Sequence, residues 1–294
     1  MTSVYLELQK NFFFLAWSGL PAHYYWEKVK QYPDPVFWLY RPESFYAYWH
    51  IAPNVSHALQ YPDEMLWDDI CQWQERTQGR LVTPVDPEYP TQLFRLLSPP
   101  FMLFVLGRVD WLMRPQLAVV GADRPSVRGM GNTVCWVRQL ADEWVITSRM
   151  SGGIDAQAHW AALHANQHTI GIMPWGISQA YPPEQHVLYE SLRDNGALIS
   201  LCWRANARPS SAWNDCHNVL SALVRAVVIM EAHESCQSLS LARQALALGV
   251  PVYAIPGLLS RAMFRGCHRL IHEGAQCVMC PDELLEHLSI LFCS

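Results

Sequence analysis

The chain has 294 residues, 51% of them hydrophobic and 16% charged, enough for one large or two modest domains and too apolar for intrinsic disorder. Twenty-one basic against 26 acidic residues leave a net charge of −5, so a polycation that holds nucleic acid by bulk charge is excluded. A local basic groove is not, because the lysines all precede residue 31 and every later cation is an arginine, the planar donor suited to phosphate.

Residues 1–78 are aromatic and proline-punctuated, with helical spacing over 6–15, 24–29 and 64–74, and predict a small helical domain. Tyr32-Pro33-Asp34-Pro35 and Ala52-Pro53-Asn54 separate its helices, since proline lacks a donor and restricts its predecessor. Residues 79–294 change texture, and short β-branched runs alternate with amphipathic stretches. Strands are predicted over 117–121, 144–148, 169–173, 197–200, 226–231, 250–255 and 276–279, and helices over 129–140, 155–165, 184–193, 238–248 and 282–291. That alternation predicts an α/β fold with a doubly wound parallel sheet, its ligands at the carboxyl ends of the strands. The site is therefore expected after Gly121, Ser148, Met173, Ser200 and Glu231.

Nine cysteines without a secretory leader point to a reducing cytoplasm. Apolar runs such as 224–230 end in charge well short of the roughly 18 residues that span a bilayer, so no membrane segment is expected. Cys277-Val278-Met279-Cys280 invites a zinc reading, but no second pair of thiols closes such a site. Cys277 and Met279 are instead expected to alternate with Val278 along a buried strand. No metal or cofactor is assigned.

Three loops carry features suited to a ligand. The first follows Gly121 and holds Arg124 and Arg128 before a helix. Its glycine spacing is not that of a dinucleotide fingerprint. The second, Arg149-Met150-Ser151-Gly152-Gly153-Ile154-Asp155, sets two glycines ahead of a helix, a backbone nest for an anion. Asp155 and His159 stand four apart on one helical face. They form either an acid–base pair or a turn-orienting carboxylate above a packed ring. The third region joins Arg204, Arg208 and Trp213, where phosphates take the charge and a base stacks on the ring; a tryptophan that only plugs the sheet edge is the other reading. Ser238 is expected to cap the following helix and leave amides facing the cleft.

Taken in order, Asp86-Pro87-Glu88-Tyr89-Pro90, Ala118-Val119-Val120-Gly121, Gly153-Ile154-Asp155, Ala158-His159, Glu231-Ala232, Ser238-Leu239, Ala254-Ile255-Pro256-Gly257 and Gly274-Ala275 resemble the DNA-processing protein A (DprA, or Smf) family across most of the chain. The resemblance implies an extended Rossmann fold preceded by a helical domain of the sterile-alpha-motif type. It further implies a cytoplasmic, dimeric, non-enzymatic protein that binds single-stranded DNA without sequence preference and loads a RecA-type recombinase during natural transformation. A winged-helix-like domain that some members carry has no residues left here. The nucleic-acid-binding residues it points to are Gly121, Arg124, Arg128, Arg149, Gly152, Gly153, Trp213 and Ser238.

This chain also departs from the family pattern. Asp123 stands where the family has an arginine, Arg149 where it has a glycine, and Trp213-Asn214-Asp215-Cys216-His217-Asn218 keeps an aromatic while losing two arginines. These exchanges motivate a second reading, a scaffold that has lost DNA and acts through a protein partner. A third, a nucleotide-cleaving enzyme resembling the Lonely Guy proteins with Asp155 or Glu231 as acid or base, lacks that family's glycine-rich pattern.

Overall fold

The computed structural model describes residues 3–178, 183–203 and 209–292. Contacts divide the chain into two compact units, residues 1–106 and 107–294. The stretch 79–106, which by composition reads with the α/β part, thus clusters with the helices.

The first unit carries α1 (Ser3–Trp17), α2 (Ala22–Lys28), α3 (Glu43–Tyr48), α4 (Pro53–Gln60) and α5 (Glu64–Thr77). Pro53 opens α4 at its first turn, where its missing N–H costs nothing. Asp63 caps α5 by accepting from Leu66 N at 3.2 Å. The core is aromatic: Phe13, Tyr25, Trp38 and Tyr46 are buried, and Tyr24 meets Trp38 edge-on at 5.7 Å. Six of the 13 tryptophans fall in this unit, which assigns much of that load to packing. After α5, β1 (Arg80–Val82) pairs antiparallel with β2 (Leu103–Gly107). Asp86, buried, ties this segment to α1: it accepts from Thr83 N and Thr83 Oγ1, both at 2.7 Å, from Gln9 Nε2 at 2.8 Å and from the Tyr5 hydroxyl.

The second unit alternates strands and helices as β3 (Gln116–Val120), α6 (Val127–Leu140), β4 (Val145–Arg149), α7 (Ile154–His164), β5 (Thr169–Met173), α8 (His186–Asn195), β6 (Ala197–Ser200), α9 (Pro209–Leu223), β7 (Ala226–Ile229), α10 (Ser238–Ala247), β8 (Val252–Ala254), α11 (Arg265–His272), β9 (Gln276–Cys277) and α12 (Pro281–Phe292). Within it the strands run parallel in the order β6-β5-β4-β3-β7-β8-β9. The order reverses at β3, the doubly wound arrangement with a strand added at the β6 end. Leu117, Val119, Ile146 and Val228 face α6, α7 and α12 in one apolar core. Their alternate neighbours point to the other face, where α9 and α10 pack together.

All seven predicted strands are present, most of them shorter at the carboxyl end, so Gly121, Glu231 and Ile255 belong to loops. Cys277 and Met279 are exposed while Val278 is buried. The expectation that Cys277 and Met279 are buried is corrected, because β9 is a two-residue edge strand with both residues exposed and ends before Met279. Among the described residues no helix is long and apolar enough to cross a membrane.

Candidate functional site

The carboxyl ends of β3, β4 and β7 bring three loops together. The peptide of Gly121 lies at their centre and is held on both sides. Its N–H donates to Asp155 Oδ1 at 3.1 Å, and its carbonyl accepts from Ser238 Oγ at 2.6 Å and Cys236 Sγ at 3.3 Å. Ala122 N donates to Glu231 O at 2.7 Å, and Ile154 N returns to Ala122 O at 3.0 Å. The amides that immediately follow β3 are therefore used within the protein. Gly121 is a structural pivot and not, as its position suggested, an open phosphate contact.

Arg149 ends β4, and alternation along that strand turns it toward α9 and α10. Its Nε donates to Asp155 Oδ2 at 2.5 Å and its Nη2 to Asp155 Oδ1 at 3.1 Å and Ser238 Oγ at 2.8 Å. Burial works against the guanidinium charge, and the adjacent Asp155 carboxylate more than restores it, so its pKa lies above the ordinary arginine value. At 3% exposure, Arg149 does not reach a ligand, and the expectation of a phosphate contact there is corrected. Ser238 is corrected likewise: it is buried, makes no cap and binds Gly121 and Arg149 instead.

His217, on α9, completes this interior. Its Nε2 lies 3.3 Å from Arg149 Nη1; a guanidinium only donates, so the imidazole accepts and is neutral. Burial, then the neighbouring arginine, push its pKa down to about 4. Cys216 beside it is raised by burial to about 12, a thiol and not a nucleophile. Of the two readings of Asp155 and His159, the structure bears out the orienting one. His159 is buried with Nδ1 at 2.7 Å from Thr169 Oγ1, and burial lowers its pKa to about 4.

What faces outward is a different set. Arg124 and Arg128 are exposed and form no ion pair among the described residues. Gly152 and Gly153 are half-buried ahead of the 11-residue α7, and their amides have no partner among the described residues. Gly153 has φ +67°, and a Cβ there would lie 2.2 Å from Ala122 O, so only glycine lets the two loops close. Trp213 is half-buried on α9, edge-on to Trp175 at 5.9 Å and 6.2 Å from the His217 ring. Asp123, 72% exposed, lies 4.0 Å from His233 Nε2. It sets an acid among the arginines. Arg204 and Arg208 lie outside the described residues, as do Tyr181 and Pro182.

Arg124 and Arg128 are thus exposed and Gly152, Gly153 and Trp213 half-buried, whereas Gly121, Arg149 and Ser238 are buried in the support beneath the loops. Two members of that support, Glu231 bound to Ser126 and His217 bound to Arg149, join residues 105 and 68 positions apart, a separation that leaves no local signal. Trp175 beside Trp213 was equally invisible. Asp155 and Glu231 are both fully buried and hydrogen-bonded internally.

The family model described as DNA recombination-mediator protein A matches residues 80–289. Protein Smf of Escherichia coli is 35% identical over 80% of this chain and 63% of its own length. DNA processing protein DprA of Streptococcus pneumoniae is 30% identical over 68% of this chain and 71% of its own. Protein Smf of Synechocystis is 30% identical over 74% of this chain, which spans only 56% of that relative's length. The solved DprA of Streptococcus pneumoniae has the same fold, with a TM-score of 0.73 at 23% identity over 94% of this chain and 97% of that one. DprA of Helicobacter pylori, described for its single-stranded DNA binding mode, aligns with a TM-score of 0.65 at 25% identity over 72% of this chain and 95% of that one.

Proposed function

The chain belongs to the DNA recombination-mediator protein A family, and on that premise we propose that it is a DNA-processing protein that binds single-stranded DNA across the carboxyl ends of β3 and β4. The observation that carries this reading is that the Gly152 and Gly153 amides and the exposed Arg124 and Arg128 have no partner among the described residues. Phosphates meet the nest and the guanidinium groups, while a base stacks on Trp213. Neither feature reads base edges, so binding is independent of sequence.

In the same proposal the protein works in the cytoplasm without catalysis, as a homodimer, and delivers the strand to a RecA-type recombinase during DNA uptake. The family match beginning at residue 80 supports reading 79–294 as the DNA-processing part and 1–78 as a helical accessory. Fluorescence anisotropy with a labelled oligonucleotide at low salt tests the binding. Micromolar affinity is expected for the native chain. No binding would favour the protein-partner scaffold, for which the inward turn of Arg149 and the acid at Asp123 are the favouring observations.

A further inference from the structure

In an open parallel sheet the ligand crevice lies where strand order reverses, outside the carboxyl ends of the two diverging strands. Here that place is between β3 and β7, and the 14-residue α6 points its first amides toward it. In nucleotide-binding folds of this architecture a phosphate takes that position. In this chain a carboxylate of the protein takes it. Glu231, two residues past β7 and 0% exposed, accepts from Ser126 N through Oε1 at 2.7 Å and from Ser126 Oγ through Oε2 at 2.6 Å. The same hydroxyl accepts from Gly129 N at 3.0 Å. A Cβ at residue 129 would lie 2.5 Å from Glu231 Oε2, so the missing side chain lets the acid press against the helix backbone.

We propose that Glu231 is a built-in anion that fills the phosphate position at the start of α6 and closes the switch-point crevice to the phosphates of free nucleotides. Three things make it exclusive. The Ser126 amide and hydroxyl are engaged by Glu231 Oε1 and Oε2 respectively. The Ala122 amide is taken by the carbonyl of Glu231 itself, at 2.7 Å. A second anion entering the same buried space meets a like charge. The helix dipole and the capping hydroxyl are satisfied from within, and anions are left to the outward surface of Gly152, Gly153, Arg124 and Arg128. That last assignment rests on the function proposed above; the closure of the crevice does not.

The test is thermal unfolding of the native chain, Glu231→Ala and Glu231→Gln at matched ionic strength in chloride, inorganic pyrophosphate and ATP, each at about 10 mM, where a specific ligand raises Tm by mass action. Any stabilisation through the outward surface is common to all three proteins, so in each anion the shifts of the native chain and of Glu231→Gln, whose side chain still fills the space, are expected to agree within about 1 °C. Glu231→Ala is expected to melt lower in chloride and to regain in pyrophosphate at least about 3 °C more than the native chain gains. Should Glu231→Ala be unfolded in chloride, refolding on addition of pyrophosphate supports the proposal and failure to refold overturns it. A pyrophosphate shift of the native chain or of Glu231→Gln as large as that of Glu231→Ala, or indifference of a folded Glu231→Ala to pyrophosphate, also overturns it. A native chain that ignores ATP but fails to bind an oligonucleotide would defeat the proposed function and leave this closure standing.

Discussion

Arg149 Nε and Asp155 Oδ2 lie 2.5 Å apart with both side chains buried, so the charge at the end of β4 serves the protein and not a ligand. The pair fixes the Gly121 peptide from below, since Asp155 accepts its N–H and Arg149 holds the Ser238 hydroxyl that donates to its carbonyl. The loops that carry Arg124 and the Gly152–Gly153 nest are thereby set by an interior ion pair.

Breaking such a pair leaves an uncompensated buried carboxylate, at a cost of about 3–5 kcal/mol. Arg149→Met is therefore expected to lower the urea midpoint strongly, and Arg149→Met with Asp155→Leu to recover part of the loss. Equal stability of Arg149→Met and the native chain in urea titrations would contradict the keystone role.

Two buried histidines make stability depend on pH. His159 and His217 both have pKa values lowered to about 4 from 6.5, so the unfolded chain binds more protons than the folded one between those limits. Stability from this source is present above pH 6.5 and is lost as pH falls toward 4, on the order of 3 kcal/mol per group at full extent. Urea midpoints measured from pH 7.5 to 4.5 should fall steeply for the native chain and less for His217→Gln. Parallel pH curves for the two would count against the assignment.

Trp213 offers its half-buried ring beside Trp175. Stacking of a base on such a ring contributes about 1–3 kcal/mol. Trp213→Ala is expected to weaken oligonucleotide binding at least about fivefold while leaving the salt dependence unchanged; a changed salt slope would mean that the ring acts through the arginines.

Gly153→Ala should remove binding and stability together. The φ of +67° and the 2.2 Å approach to Ala122 O leave no space for a methyl group, so the β3 and β4 loops must part. The check is hydrogen exchange, with loss of protection expected at Ile154 N, which donates to Ala122 O at 3.0 Å. Protection as in the native chain would show that the loops tolerate the methyl.

The strand order of the second unit was legible because its buried strands are short apolar runs, several of them rich in valine and isoleucine, and the loop positions followed from it. Helix α9 was not. Its apolar residues Trp213, Cys216, Leu220 and Leu223 keep helical spacing, but Pro209 at its start and Asn214-Asp215 within it read as loop chemistry. The exposed half of the site was legible from glycines and arginines near predicted strand ends. The buried half was not, because an arginine after a strand reads as a ligand contact until its partners are known. Those partners, Asp155, His217 and Ser238, lie 6, 68 and 89 residues away. Asp86 was recognisable as part of a motif, yet its bonds to Gln9 and Tyr5 appear only once α1 folds back on it.

In the proposed function Arg124 and Arg128, and not the buried Arg149, meet the phosphates of a single strand. The direct measurement is the affinity for a fluorescent oligonucleotide across a salt series, for the native chain and for Arg124→Ala/Arg128→Ala. Each phosphate contact contributes about −0.7 to the slope of log K against log salt on single strands, so the double variant should bind more weakly with a slope shallower by about 1.4. An unchanged slope, or a native chain that does not bind at low salt, would contradict the account.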